Sequence, residues 1–110
     1  MKKLTLILIF IMAVFTVSCR QHDIRTVIIR VPEMKNKTCE EIVRKALLKT
    51  YGIQKNGIQI DVEKRTVTVT YESLHTAIKN IEFAIAEAGF NANEVPANLE
   101  AVRKLPPECR

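Results

Sequence analysis

Apolar and polar positions divide the chain into one unbroken hydrophobic run and a series of short periodic segments. The run, Leu4 to Val17, is apolar apart from Thr5 and Thr16. After polar Gln21 to Asp23, β-branched residues crowd Ile24 to Val31 until Pro32 stops them, which predicts a strand. Thr38-Cys39-Glu40-Glu41 matches a capping box, with Thr38 as cap and Glu41 reaching back. Ile42, Val43, Ala46 and Leu47 follow at helical spacing and Gly52 suits the position past a helix end, so a helix is predicted over about Cys39 to Thr50. Asn56-Gly57 is a turn signal. Ile58, Ile60 and Val62 then alternate with polar residues, as do Val67 and Val69, and Glu63-Lys64-Arg65 joins the two strands as a hairpin. Leu74, Ile78, Ile81, Ile85 and Ala88 define a second amphipathic helix closed by Gly89, and Phe90 to Val95 reads as a short last strand.

The order strand, helix, strand, strand, helix, strand predicts an α+β, ferredoxin-like βαββαβ fold, in which two helices cover one face of a four-stranded antiparallel sheet. Beyond it, Asn98 caps a short helical turn through Leu99, Ala101 and Val102, and Pro106-Pro107 ends that turn.

The first hydrophobic run follows Met1-Lys2-Lys3 and precedes Ser18-Cys19. It is shorter than the roughly 20 residues that cross a bilayer, so it reads as the core of a secretory signal. Phe15-Thr16-Val17-Ser18-Cys19 resembles a bacterial lipobox, although Thr16 stands where leucine is usual. That resemblance implies acylation of Cys19 and a place in the cell envelope, lipid-anchored on the periplasmic or outer-membrane side; an ordinary cleavable signal and an uncleaved anchor are the alternatives. The expected organisation is residues 1–18 as signal, 19–23 as tether, 24–95 as the domain and 96–110 as a tail. Removing Lys2 and Lys3 lowers the formal charge from +5 to +3. A surplus that small, without a basic stripe interleaved with aromatic residues, argues against nucleic acid as a partner.

Val31-Pro32-Glu33-Met34, Cys39 at a helix start, Ile60 to Val69, and Ala84-Ile85-Ala86-Glu87-Ala88-Gly89-Phe90 together resemble the heavy-metal-associated domain of copper chaperones, mercury-binding periplasmic proteins and metal-pumping ATPases. The resemblance spans about Ile24 to Val95 and implies binding or hand-over of a soft metal ion. Cu(I) is the first candidate, and Zn²⁺ and Hg²⁺ are lesser ones. The family motif is Met-x-Cys-x-x-Cys; here the frame reads Met34-Lys35-Asn36-Lys37-Thr38-Cys39, with Asn36 in the place of the first cysteine. An amide oxygen cannot replace a thiolate for a soft ion. Cys39 is favoured as a thiolate by the helix N-terminus and by Lys35 and Lys37, and opposed by Glu40 and Glu41. The resemblance further implies that Met34 packs beneath the loop rather than ligating.

Some exported relatives carry a tail similar to Val95-Pro96-Ala97 through Pro106, ending in adjacent cysteines; here one remains, Cys109. The expected metal ligands are therefore Cys39 and Cys109, brought together by a tail that folds back. A Cys39–Cys109 disulfide, two unrelated thiols, and a metal-linked homodimer through two copies of Cys39 remain open. Histidines His22 and His75 lack ligand spacing. No Ser/His/Asp or Cys/His constellation supports catalysis, so an enzyme is not expected. The alternative in another class is a non-metal interaction module with a decayed motif, binding an envelope protein.

Overall fold

The computed structural model describes residues 2–7 and 22–110. Cys19 and most of the expected signal lie outside the described residues. The folded body runs β1 (Ile24–Arg30), α1 (Lys37–Leu48), β2 (Ile53–Asp61), β3 (Thr66–Glu72), α2 (Ile78–Glu87), α3 (Leu99–Lys104) and a closing 3₁₀ turn (Pro107–Cys109). No helix among the described residues is long and apolar enough to cross a membrane.

The strands form one antiparallel sheet in the order β1-β3-β2. Register follows the period-two pattern: Ile29 pairs with Val67 and Val27 with Val69, and Ile58 and Ile60 face the same two valines from the other side. Val67, Val69 and Tyr71 are buried, whereas Thr66, Thr68 and Thr70 alternate with them on the outer face. Val43 and Leu47 of α1 and Ile81 and Ile85 of α2 complete the core on the inner face. The α+β, ferredoxin-like class therefore stands, but the sheet has three strands instead of the four expected.

The missing strand has a physical cause. Asn93 takes φ +52 and turns the chain sharply. Ala92 and Val95 then exchange backbone hydrogen bonds with each other, at 3.0 and 2.9 Å, instead of with a neighbouring strand. The segment's backbone meets β1 at the strand's end, where Asn93 N donates to Arg30 O and Arg30 N donates to Asn93 Oδ1, each at 2.9 Å.

Three local expectations are also corrected. Asn56-Gly57 is no turn: Gly57 lies inside β2, at a bulge between Ile53 and Ile58. A Cβ there would sit 2.6 Å from Thr70 Cβ, so only glycine lets β2 pass β3. Leu74 precedes α2 and is exposed, as is Ile28 on the outer face of β1. Thr38 does not cap α1; Asn36 does.

Where the tether enters, it is tied down. Ser73 N donates to Asp23 O at 2.8 Å, and Ser73 Oγ donates to Asp23 Oδ2 at 2.6 Å. The hydrogen bond from Ser73, then that from Arg25, hold the Asp23 carboxyl below its usual range. The hydrogen bond from His22 does the same for Glu72. Carboxyls depressed in the folded state contribute stability that is present above their ordinary range and lost as pH falls through the lower folded value. The tether contacts should thus persist at neutral pH and release only in acid below the ordinary carboxylate range, read from the Ser73 amide resonance. Release well above that range would contradict the assignment.

At the other end, Gly89 at φ +103 closes α2 against the tail: a Cβ would lie 2.7 Å from Leu105 Cδ1 and 3.1 Å from the Ala101 carbonyl carbon. Gly89→Ala should cost about 1–3 kcal/mol of overpacking, measured by denaturant unfolding.

Candidate functional site

The site is assembled from the first turn of α1 and the last turn of the chain. Val31 N donates to Arg65 O at 2.8 Å and Met34 N to Val31 O at 3.1 Å, so β1 ends in a tight loop. Asn36 follows in extended backbone geometry. Its Oδ1 accepts from Cys39 N at 3.0 Å, which satisfies one of the otherwise orphaned donors of the helix start. The residue standing in the place of the first family cysteine is thus the helix cap. Met34 is fully buried in the core, as the packing role requires.

Glu33, beside Met34, accepts from Asn91 N at 3.2 Å and from the Asn91 side-chain amide. Asn91 Oδ1 in turn accepts from Ala97 N at 2.7 Å. These bonds turn the chain beyond the sheet back toward the α1 start. Asn98 then caps α3 through Glu100 N and Ala101 N, as the sequence led us to expect. Leu105 enters the core and the 3₁₀ turn delivers Cys109, whose N donates to Pro106 O at 2.9 Å. Lys35 Nζ donates to the carbonyl of Arg110 at 3.4 Å, tying the chain end to the loop before α1.

The result is a disulfide between Cys39 and Cys109, with Cα atoms 5.6 Å apart. Of the pairings left open by the sequence, the structure thus displays the intramolecular disulfide, and the tail does fold back. Both cysteines have no solvent exposure. In this state neither sulfur can ligate a metal. Reduction would leave two thiols adjacent, a donor pair suited to a soft ion. Among the described residues, no group of three or more His, Cys, Asp or Glu side chains is arranged to hold a metal. His22 and His75 are remote from the sulfurs: both pair with Glu72, at 2.5 and 3.3 Å, at the finishing end of β3. Cys19, the expected lipidation site, lies outside the described residues.

Sequence reasoning missed the Glu33–Asn91 clasp, which has no signature in spacing. It also read Asn36 only as a lost ligand, although asparagine three residues before a backbone N–H needing a partner is a common cap.

With this geometry in place, the class is defined: the chain belongs to the heavy-metal-associated domain family, whose sequence profile matches residues 28–91. The match stops short of the tail that carries Cys109. Among individual relatives, the mercuric transport protein periplasmic component of Shigella flexneri is 33% identical over 66 residues, covering 60% of this chain and 70% of that protein. The crystal structure of oxidized MerP from Ralstonia metallidurans CH34 is 30% identical with a TM-score of 0.59, covering 64% of this chain and 94% of that one. The CopZ metallochaperone, 24% identical with a TM-score of 0.58, covers 62% of this chain and 98% of its own and shares the fold.

The disulfide closes a loop between residues 70 apart in sequence. Its reduction, or Cys109→Ala, should lower stability by about 2–5 kcal/mol in denaturant unfolding. Asn36→Ala should cost about 1 kcal/mol through the lost cap, and Asn36→Asp should cost less.

Proposed function

We propose that this chain is an envelope protein that binds and hands over a soft metal ion, Cu(I) first, through the reduced pair Cys39 and Cys109. The observation that carries the reading is that the tail places a second sulfur beside Cys39, so one chain supplies the two thiolates that its motif alone lacks. Family membership supports a metal role, and the names of the mercuric transport relatives support a soft ion and a periplasmic setting. Acylation of Cys19 after loss of residues 1–18 would hold the domain on a membrane, because acyl chains contribute about 0.8 kcal/mol per buried CH₂.

The mechanism is ligand exchange. Two electrons and two protons from an envelope thiol reductant convert the disulfide to two thiols, and each loses its proton on meeting the metal. Cys39 lies in the first turn of α1, where the helix dipole favours negative charge. A partner thiolate then displaces one host sulfur while the other keeps the ion. Cys109 is the sulfur that leaves more readily, because it sits on a three-residue turn at the chain end, whereas Cys39 is fixed in a helix. No bond of a substrate is broken.

A second reading is favoured by the complete burial of both cysteines: the disulfide is purely a staple, and the domain is a non-metal interaction module for an envelope protein. Competition for Cu(I) against a chromophoric chelator separates the two. The reduced chain should bind one ion, with binding lost in both Cys39→Ala and Cys109→Ala. Asn36→Cys should restore binding in the Cys109→Ala background, at the cost of the cap. No competition by the reduced parent protein would leave the staple reading. Loss in Cys39→Ala alone, with dimers formed on metal addition, would place the site between two chains.

A further inference from the structure

Acylation of Cys19 has a geometric consequence for the domain. Cys19 stands three residues before His22, and three extended residues reach about 10 Å at most. His22 is not free to swing: its Nδ1 lies 2.5 Å from Glu72 Oε1, and the next residue, Asp23, is held by Ser73 through backbone and side chain. A lipid on Cys19 therefore brings the bilayer surface close to one particular end of the domain, where β1 starts and β3 finishes.

That end is suited to such a neighbour. Tyr51 is 75% exposed, Leu74 66%, Ile24 51% and Leu48 45%. Lys49 and Lys55 line the same shallow groove as Leu48, Tyr51 and His75. Of the acidic groups at this end, Asp23 is paired with Arg25, and Glu72, which also lines the groove, is hydrogen-bonded by His22 and lies beside His75. The groove thus offers apolar and aromatic side chains with two ammonium groups against one carboxylate, a combination that matches an anionic headgroup layer. The sulfurs lie at the opposite end. From Leu48 back to Cys39 along α1 is nine residues, about 13 Å, and β1 carries the chain about 20 Å in the same direction.

We propose that the domain seats this end on an anionic membrane surface, with Tyr51 and Leu74 at the headgroup boundary and Lys49 and Lys55 on lipid phosphates. The Cys39–Cys109 junction then points away from the bilayer, toward soluble partners. The proposal rests on the acylation of Cys19 and is independent of whether the cysteines bind metal.

The chain has no tryptophan, so a single introduced one reports its surroundings. Mature Tyr51→Trp and Leu99→Trp proteins, extracted from membranes, would be placed in phosphatidylethanolamine–phosphatidylglycerol vesicles brominated near the headgroup. Leu99 is as exposed as Tyr51 but lines the cleft beside Cys109. Emission from Tyr51→Trp should shift to the blue and lose intensity to the bromine, and emission from Leu99→Trp should do neither. Adding Lys49→Glu and Lys55→Glu should weaken the quenching of Tyr51→Trp. Equal behaviour of the two reporters, or quenching of Leu99→Trp alone, would overturn the seating and leave the groove to a protein partner or a second copy. Intact mass of the same samples reads acylation separately: an unacylated chain refutes the anchor and the seating with it, whereas an acylated chain with an unquenched Tyr51→Trp refutes the seating only.

Discussion

The bond between Cys39 and Cys109 is where the local forces of two distant segments meet. On one side, Asn36 starts α1 and fixes Cys39 in its first turn. On the other, the Glu33–Asn91–Ala97 chain of hydrogen bonds and the fit of Leu105 against Gly89 guide the tail across the domain. None of these contacts is strong alone, since a single hydrogen bond contributes about 1 kcal/mol net. Together they converge on the two sulfurs, which are joined here. The covalent link makes the tail part of the core: Cys109 is as fully buried as the sheet valines, and Leu105 is buried beside it.

Burial sets the terms of any chemistry at this junction. A fully covered disulfide in an oxidising compartment is protected from exchange, because an attacking thiolate needs access to a sulfur. On the proposed reading, metal loading and hand-over require the last turn to lift. The side chains that oppose lifting are few and lie near the chain end, chiefly Leu105, Lys35 and the Arg110 side chain, whose Nε donates to Leu105 O at 3.1 Å. Local opening of a terminal segment costs less than global unfolding, which is what the proposed exchange asks of the last turn.

Much of the architecture was legible because periodicity and burial coincide: Val67 and Val69 alternate with threonines, and Val43, Leu47, Ile81 and Ile85 sit where the helical spacing put them. The failures share a cause, namely tertiary contact overriding a local signal. Asn56-Gly57 has turn chemistry, but Thr70 demands a glycine opposite it, and the strand simply bulges. Phe90 to Val95 has strand composition, but Asn93 turns it away from β1. At the site, the family resemblance drew attention to Cys39 and Cys109, and the absence of a second motif cysteine raised the question of their pairing. The structural role of Asn36 and the Glu33–Asn91 clasp depend on residues far apart in sequence, which spacing does not encode.

Everything proposed for the site depends on the partnership of Cys39 with Cys109 in the protein as it occurs in the cell. Thiols would be blocked by alkylation before lysis, the chain digested without reduction, and the cysteine peptides identified by mass spectrometry before and after reduction. The expected result is a peptide pair joining Cys39 to Cys109 within one chain that separates on reduction, alongside a fraction doubly alkylated at the same two residues in reducing conditions. Finding Cys109 alkylated while Cys39 is joined to a second Cys39, or to another protein, would contradict it.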